Sequence, residues 1–327
     1  MGFVLVTGAN GFVGSHICEA LLAAGFGVRA LVRKSSDLAN LRGTDVSLYF
    51  GALDDLESLA GAVEGVDAVV NNAGLVKANN PDDFHKVNAA GTLNVLTAVM
   101  SSNPAVRRIV HMSSTAACGP SPSNSPIDEN HIPNPLTAYG RSKLEGERIT
   151  LDFKSKLPVV ILRPSAVYGP RDKEMLSFFK CVKYGLKPAF GHEQNYINFT
   201  YVKDLARAAV KAIESPVRSG STYFVIERKS YSYSEAGDLI AGIMGKRAFN
   251  LYVPAYMLGL AGRVSEKIAR LRQKPSILTR DKAREIASKF WLFDSSKIER
   301  ELGFDDWTDF KTGAAETIAW YKEKGWL

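Results

Sequence analysis

Two stretches of this 327-residue chain carry residue types that do chemistry. Near the start, Gly8, Gly11 and Gly14 recur at three-residue spacing. In mid-chain, Tyr139 and Lys143 stand at i and i+4, one turn apart on a helix face. Glycines so spaced bring backbone against a phosphate. Gly8 permits a tight turn, Gly11 lets the chain approach a pyrophosphate, and Gly14 lets a helix pack closely on a strand. The phenol and the ammonium form an acid/base pair. A free phenol titrates near ~10, too high for a base at neutral pH. A neighbouring ammonium favours the phenolate and lowers that value. The pair can then exchange a proton with a carbinol oxygen while hydride moves at the adjacent carbon. Ser113 and Ser114 supply a hydroxyl that can donate to the developing oxyanion.

The elements that must position these groups can be read around them. Residues 3–7 are an apolar run and read as a buried strand. Residues 15–24 read as a helix, closed by Gly25. Strand, glycine turn and helix in that order make the phosphate reading credible, because the free N–H groups of the helix start then face the anion. Residues 106–112 form a strand that delivers Ser113 and Ser114. Residues 136–149 read as the helix that carries Tyr139 and Lys143. Alone, a Tyr and a Lys at this spacing occur by chance on many surface helices. The order of the motifs is what gives them weight.

The second strand, residues 27–32, bears on the cofactor. A chain that binds NAD usually carries Asp or Glu at this strand end, to hold the ribose 2′-hydroxyl. Here Val32 stands there, followed by Arg33 and Lys34. A cation suits a 2′-phosphate. The residues therefore favour NADP(H), with NAD(H) as the alternative.

As an ordered set, these motifs resemble the extended short-chain dehydrogenase/reductase family, which includes nucleotide-sugar epimerases, dihydroflavonol reductases and 3β-hydroxysteroid dehydrogenases. Further markers are Asn72-Ala73-Gly74, Asn88 to Thr92, Leu162 to Pro170 and Phe199 to Asp204. The resemblance covers nearly the whole chain. It implies an α/β fold: a Rossmann-type doubly wound parallel sheet with a smaller interwoven cap. It implies that Ser114 polarises the substrate oxygen, Tyr139 is the proton donor or acceptor, and Lys143 also holds the nicotinamide ribose. It implies cofactor contacts from Thr7, Asn10, Phe12 and Val13 beside the glycines, then from Ala52, Leu53, Asn72, Ala73, Gly74, Asn88, Met112 and Ser113. Pro164, Ser165 and Val167 belong to the nicotinamide end. A homodimer through helices at 88–100 and 140–153 is the default.

Two departures bear on substrate. The family's usual Gly-Asp-Leu after the third strand is Gly51-Ala52-Leu53, which loses an adenine contact. The Arg-Asp-Phe of many nucleotide-sugar epimerases is Ile197-Asn198-Phe199. Without that Arg a phosphate partner is missing, and residues 195–202 look more like the sterol and hydroxysteroid branch. The sequence thus points to oxidation or reduction between a secondary alcohol and a ketone on a fairly apolar molecule. A nucleotide-sugar epimerase with tightly held NAD is the alternative. A dehydratase is weaker, because Thr115 and Ala116 stand where an extra acid belongs. An idle protein that senses the nicotinamide pool is disfavoured by the intact Ser114, Tyr139 and Lys143.

Composition bounds the rest. No apolar run approaches the ~20 residues that span a bilayer, and the chain enters its first strand without a signal peptide. A cytoplasmic enzyme is expected, and Cys18, Cys118 and Cys181 suit a reducing compartment and lack metal spacing. No metal site and no nucleic-acid module are read. His85, His111, His131 and His192 read as structural. Residues 263–289 hold nine Lys/Arg and three acids, +6 of the net +7. They read chiefly as a solvated helix face, with substrate, subunit or anionic membrane as other partners. The dinucleotide domain is expected over 1–168, rejoined by about 199–226, and the cap over 169–198 and 227–327. The Pro-rich segment 118–135 is expected as a lid, and Leu93 as buried. Met175, Phe178, Phe179, Tyr184, Phe190, Tyr256, Met257 and Trp291 are candidate pocket walls.

Overall fold

In the computed structural model, which describes residues 2–191, 195–272 and 279–327, a parallel sheet forms the central layer. His192 and Lys274 lie outside the described residues, as do the side chains of Lys267, Arg270 and Arg272. Its strands are β1 (Phe3–Thr7), β2 (Gly27–Val32), β3 (Val46–Phe50), β4 (Ala68–Asn71), β5 (Arg108–Met112) and β6 (Val159–Pro164). They lie in the order β3-β2-β1-β4-β5-β6, and Ser221–Val225 pairs with β6 as the seventh. Succession reverses between β1 and β4. This is the doubly wound Rossmann arrangement, and its crevice opens where the C-terminal ends of those two strands part.

The strand sequences explain why both faces are covered. Val4, Leu5, Val6, Val69, Val70, Ile109, Val110, Val159, Val160 and Ile161 are all buried. Alternate residues turn to opposite faces. Val4 and Val6 meet helix α1 (Phe12–Ala23) and the helix Val202–Glu214. Leu5 and Val69 meet the helices Leu56–Val63 and Gly91–Ser102. Near-continuous apolar strands of this kind need helices on both sides.

The cap is built on a small sheet. Tyr196–Tyr201 lies between Ser230–Ser232 and Phe290–Trp291, and Ala166–Tyr168 also pairs with it. An aromatic core supports it, with Phe199 and Phe310 stacked at 4.5 Å between ring centroids. A two-stranded sheet of Leu186–Gly191 and Phe249–Pro254 completes it.

Several sequence expectations need correction. Ala166–Tyr168 and Tyr196–Tyr201 belong to the cap sheet, so the dinucleotide layer ends at β6 and is rejoined at Val202. Residues 296–307 return to the large sheet: Ile298, Leu302 and Phe304 join its core, and Lys297 Nζ donates to the Thr222 carbonyl at 3.0 Å. The segment 118–135 is not a free lid. Ser121 N donates to Phe290 O at 2.8 Å, Ile127 N to Leu292 O at 3.1 Å, and Asn134 N to Cys118 O at 2.7 Å. Leu93 is 42% exposed, on the outer side of its helix. Among the described residues, no helix is long and apolar enough to cross a membrane.

The close packing of α1 on β1 makes Gly14 sensitive. A Cβ there would lie 2.1 Å from the Gly8 carbonyl oxygen, a backbone atom that cannot swing aside. Gly14→Ala is expected to lower stability by about 1–3 kcal/mol, the usual cost of overpacking. Urea unfolding measures it, and a midpoint equal to that of the parent would contradict this packing.

Candidate active site

The glycine turn sits at the end of β1, in the crevice. Gly8 has φ +65°, and a Cβ there would lie 2.8 Å from Ala73 Cα. Gly11 N donates back to Gly8 O at 3.1 Å, which closes the turn. Gly11 is the N-cap of α1, no side chain caps it, and the first turn holds no acid. The backbone donors and the partial positive charge of the helix start are therefore left for an anion. Thr7, expected along the cofactor, instead lies fully buried behind the turn. Its hydroxyl donates to Asn71 Oδ1 at 3.0 Å and accepts from Asn72 N at 3.0 Å and Ala73 N at 2.9 Å. It thereby locks the end of β4 to the end of β1.

At the end of β2, Val32 is buried while Arg33 and Lys34 are exposed. Among the described residues neither has an ion-pair partner. Ser36 closes a turn on Arg33, its N–H donating to Arg33 O at 2.9 Å. Asn10 Nδ2 reaches across to Asp37 O at 3.0 Å. A free helix start, a cradle that Cβ atoms would fill, and two cations without an ion-pair partner among the described residues thus stand at the ends of the adjacent strands β1 and β2. Ala52 and Leu53 border it half-buried, with Ala52 N donating to Ser58 Oγ at 3.2 Å.

Tyr139 and Lys143 stand on the helix Ala138–Asp152. Thr137 caps it, its hydroxyl accepting from Gly140 N at 2.9 Å. The Tyr139 phenol is pushed up to about 12, first by burial, against which a hydrogen bond with the Ser114 hydroxyl works. Phe84 meets its ring edge-on at 6.0 Å. Lys143 is buried, and its ammonium donates to the Met112 carbonyl at 2.5 Å. Burial lowers its pKa to about 8, and the Glu147 carboxylate opposes that shift. Tyr139 and Lys143 thus share a face, as their spacing requires. The phenol is raised, where the sequence leads one to expect a lowering by Lys143. The charges that act on the phenol are Glu285, Lys282 and Glu174.

Beneath the pair lies a buried network. Glu147 Oε1 accepts from Ser113 Oγ at 2.5 Å and from Arg163 Nε at 2.8 Å, and Oε2 accepts from Arg163 Nη2 at 2.7 Å. The Ser113 hydroxyl is thus spent on Glu147 in the interior. Asn88, also expected as a cofactor contact, is buried in a π-helical turn, His85–Ala90. It accepts from Leu75 N at 2.8 Å and donates to Leu75 O at 3.0 Å and Ser142 Oγ at 2.9 Å, so it braces the loop after Ala73 and Gly74. A π turn at such a place is a known device for re-aiming side chains at functional sites. Pro164 ends β6, Ser165 N donates to Thr200 Oγ1 at 3.0 Å, and half-buried Val167 packs on the core. His111 lies behind Lys143, kept neutral by burial and by that ammonium. Burial pushes the Cys18 and Cys118 thiols up to about 12 and about 11, the state of inert structural cysteines. Among the described residues no cluster could hold a metal ion.

Sequence reasoning missed the helix Arg280–Ala287 as part of the site. Asp281 Oδ2 accepts from Ala138 N at 3.0 Å, which ties this helix to the start of the helix Ala138–Asp152. Lys282 donates to Glu285 at 2.5 Å, beside Tyr139 and Tyr233. Read as part of a solvated basic face, these residues carry no local signal of their destination. Glu147 does carry one: it continues the i, i+4 series from Tyr139 and Lys143. Of the expected pocket walls, Phe178, Phe179 and Trp291 are buried, while Tyr184 and Tyr256 are each 76% exposed. Asn198, in the place of the missing Arg, is buried and bonds to Phe293 N and to the carbonyls of Glu227 and Lys229.

A Rossmann sheet with a glycine-turn seat and a Ser, Tyr and Lys at its crevice defines a nucleotide-dependent oxidoreductase. The model of the NAD dependent epimerase/dehydratase family matches residues 4–226, and the chain belongs to that family. It is 28% identical to a ceramide reductase of Caulobacter vibrioides, over 100% of this chain and 96% of the relative. It is also 28% identical to sterol demethylase protein B of Methylococcus capsulatus, over 99% of each. Among solved structures, gox2253 matches with a TM-score of 0.84 at 26% identity, over 100% of both chains. The UDP-glucose 4-epimerase of Thermotoga maritima matches with a TM-score of 0.80 at 21% identity, over 98% of this chain and 99% of that one, a likeness of fold. Family members are NAD(P)-dependent reductases and epimerases.

The lowered pKa of Lys143 makes stability depend on pH. Below about 8 the folded chain carries the full cost of a buried ammonium. Above that, up to the ordinary value of 10.5, the unfolded lysine stays protonated while the folded one does not, so this group's contribution rises with pH. Relative to Lys143→Met, the parent should gain stability from about pH 8 to about pH 10. Urea unfolding at both ends of that window measures the difference. A parent that gains nothing on the variant would contradict the burial of the charge.

Proposed function

We propose that this protein is an NADP(H)-dependent oxidoreductase that interconverts a secondary alcohol and a ketone on a fairly apolar small molecule. The observation that carries the reading is the placement of the Tyr139 phenol beside the Ser114 hydroxyl, one helical turn from the buried Lys143 ammonium. The bound nicotinamide nucleotide supplies or accepts the hydride. Ser114 donates to the substrate oxygen, and Tyr139 gives or takes the proton at that oxygen. Lys143 orients the nicotinamide ribose, and the free N–H groups at the start of α1 hold the pyrophosphate. Ala73 and Gly74 line its path, and Pro164 and Ser165 border the nicotinamide end. Arg33 and Lys34, exposed and unpaired, take the 2′-phosphate.

The names of the similar ceramide reductase and sterol demethylase protein B support an apolar substrate. So does the inward bonding of Asn198, which leaves no cation where sugar-nucleotide enzymes of this type use one. A homodimer through the helices at 88–100 and 140–153 fits the exposure of Leu93. A cytoplasmic location belongs to the same reading.

Titration with NADPH and NADH is expected to show tighter binding of NADPH. Arg33→Ala should remove most of the preference, roughly 10–100-fold for a charge-assisted contact. Equal or tighter binding of NADH by the parent would contradict the assignment. With an apolar ketone as substrate, Tyr139→Phe should cut turnover by about 10²–10⁴-fold and leave the Kd for NADPH unchanged. Undiminished turnover would remove Tyr139 from the chemistry.

A further inference from the structure

The helix Arg280–Ala287 brings an ion pair to the phenol. Lys282 Nζ donates to Glu285 Oε1 at 2.5 Å, and these two are the foremost charges acting on Tyr139. Two bonds fix the helix there. Asp281 Oδ2 accepts from Ala138 N at 3.0 Å, and Trp291 Nε1 donates to the Glu285 carbonyl at 3.0 Å. Asp281 and Ala138 are the residues just before Lys282 and Tyr139, so the first of these bonds sets the ammonium and the phenol at one place. Tyr233 also stands beside Lys282, and its ring meets Phe178 at 6.1 Å and Phe190 at 5.5 Å. Tyr139, Tyr233 and Lys282 come from three separate helices, and each is half-buried. Polar groups are thus gathered from three elements inside an aromatic surround.

The ion pair is not fully spent. An ammonium has three donors. Among the described residues, Lys282 Nζ makes one bond and the second carboxylate oxygen of Glu285 makes none. The Lys282 side chain is 43% exposed and that of Glu285 17%. Burial works against the charge on Lys282, and the Glu285 carboxylate outweighs it, so the group stays an ammonium. Glu174, the next charge acting on the phenol, is held by Lys77 at 2.9 Å. The two pairs cancel, so the place does not select an ion by net charge. Hydrocarbon laid over it would strip water from a free donor and a free acceptor and leave both unpaired, which is costly. A hydroxyl replaces that water at both: its oxygen accepts from the ammonium, and its proton goes to the carboxylate. Resting on the hydride-transfer reading, we propose that Lys282 and Glu285 are substrate-recognition residues, and that the substrate is an apolar ketone carrying a hydroxyl near the reacting carbonyl.

Calorimetric titration of the full-length protein, with its oxidised nicotinamide nucleotide bound, tests this without reduction of a ketone. The ligands are decan-2-one, its 1-hydroxy derivative and the methyl ether of that derivative. The parent should bind the hydroxy ketone roughly tenfold or more tighter than decan-2-one, the gain expected of hydrogen bonds to charged groups. The ether accepts but cannot donate, and should fall between the two. Lys282→Met, which keeps an aliphatic stem, should bring the Kd of the hydroxy ketone to that of decan-2-one, with decan-2-one itself bound no more weakly than by the parent. Glu285→Leu should remove the preference for the hydroxy ketone over its ether. Circular dichroism and the urea midpoint check that both variants fold. Failure of the parent to prefer the hydroxy ketone would overturn the inference, as would the parent's full preference persisting in Lys282→Met. A preference in binding, with none of the three ligands reduced by NADPH or NADH, would instead defeat the hydride-transfer reading and leave recognition by the ion pair standing.

Discussion

One carboxylate sets the register between the helix Ala138–Asp152 and the sheet. Glu147 binds Ser113 just past β5 and Arg163 within β6, and its side chain is 2% exposed. Two buried charges are costly to desolvate, and such a pair holds only when its geometry and its remaining hydrogen bonds are good. Here both carboxylate oxygens are used, and Arg163 also lies 5.6 Å over the Phe224 ring. Lys143 stands one turn before Glu147 and Tyr139 two turns before. Tyr139 and Lys143 therefore inherit their position from a bond that touches neither of them. The Lys143 bond to the Met112 carbonyl fixes the same register from the other side.

Burial, and not mutual attraction, governs the two titrating groups. It pushes the phenol up to about 12 and the ammonium down to about 8. At neutral pH Tyr139 is thus protonated and Lys143 still charged. Under the proposed function this is the state that donates a proton to a ketone oxygen. Glu285, Lys282 and Glu174 face the phenol from the cap side and the loop beyond β6.

Local signals made much of this legible in the sequence. Gly8 and Gly14 announce the phosphate turn because only glycine meets its backbone demands, and apolar runs announce buried strands. The absence of an acid after β2 points to the free cations found there. Other features depend on partners distant in the chain. The Pro-rich segment 118–135 reads as a lid, since its bonds to Phe290 and Leu292 lie more than 150 positions away. Ser113 and Ser114 look alike in sequence, and only the sheet decides that one faces Glu147 and the other Tyr139. Thr7 and Asn88 look like cofactor contacts, yet their side chains are used to brace the loops that line the crevice. The helix at 280–287 joins the site through Asp281, a contact across 143 positions that no periodicity foretells.

The central claim is that hydride leaves and enters on a nucleotide that exchanges with its pool. The most direct test is to denature the purified protein and identify by mass any nicotinamide nucleotide it releases. The account predicts well under one equivalent per chain, with NADP(H) as whatever remains. One equivalent of NAD carried through purification would mean a closed redox cycle on a single substrate, and would contradict both the cofactor assignment and the dehydrogenase reading.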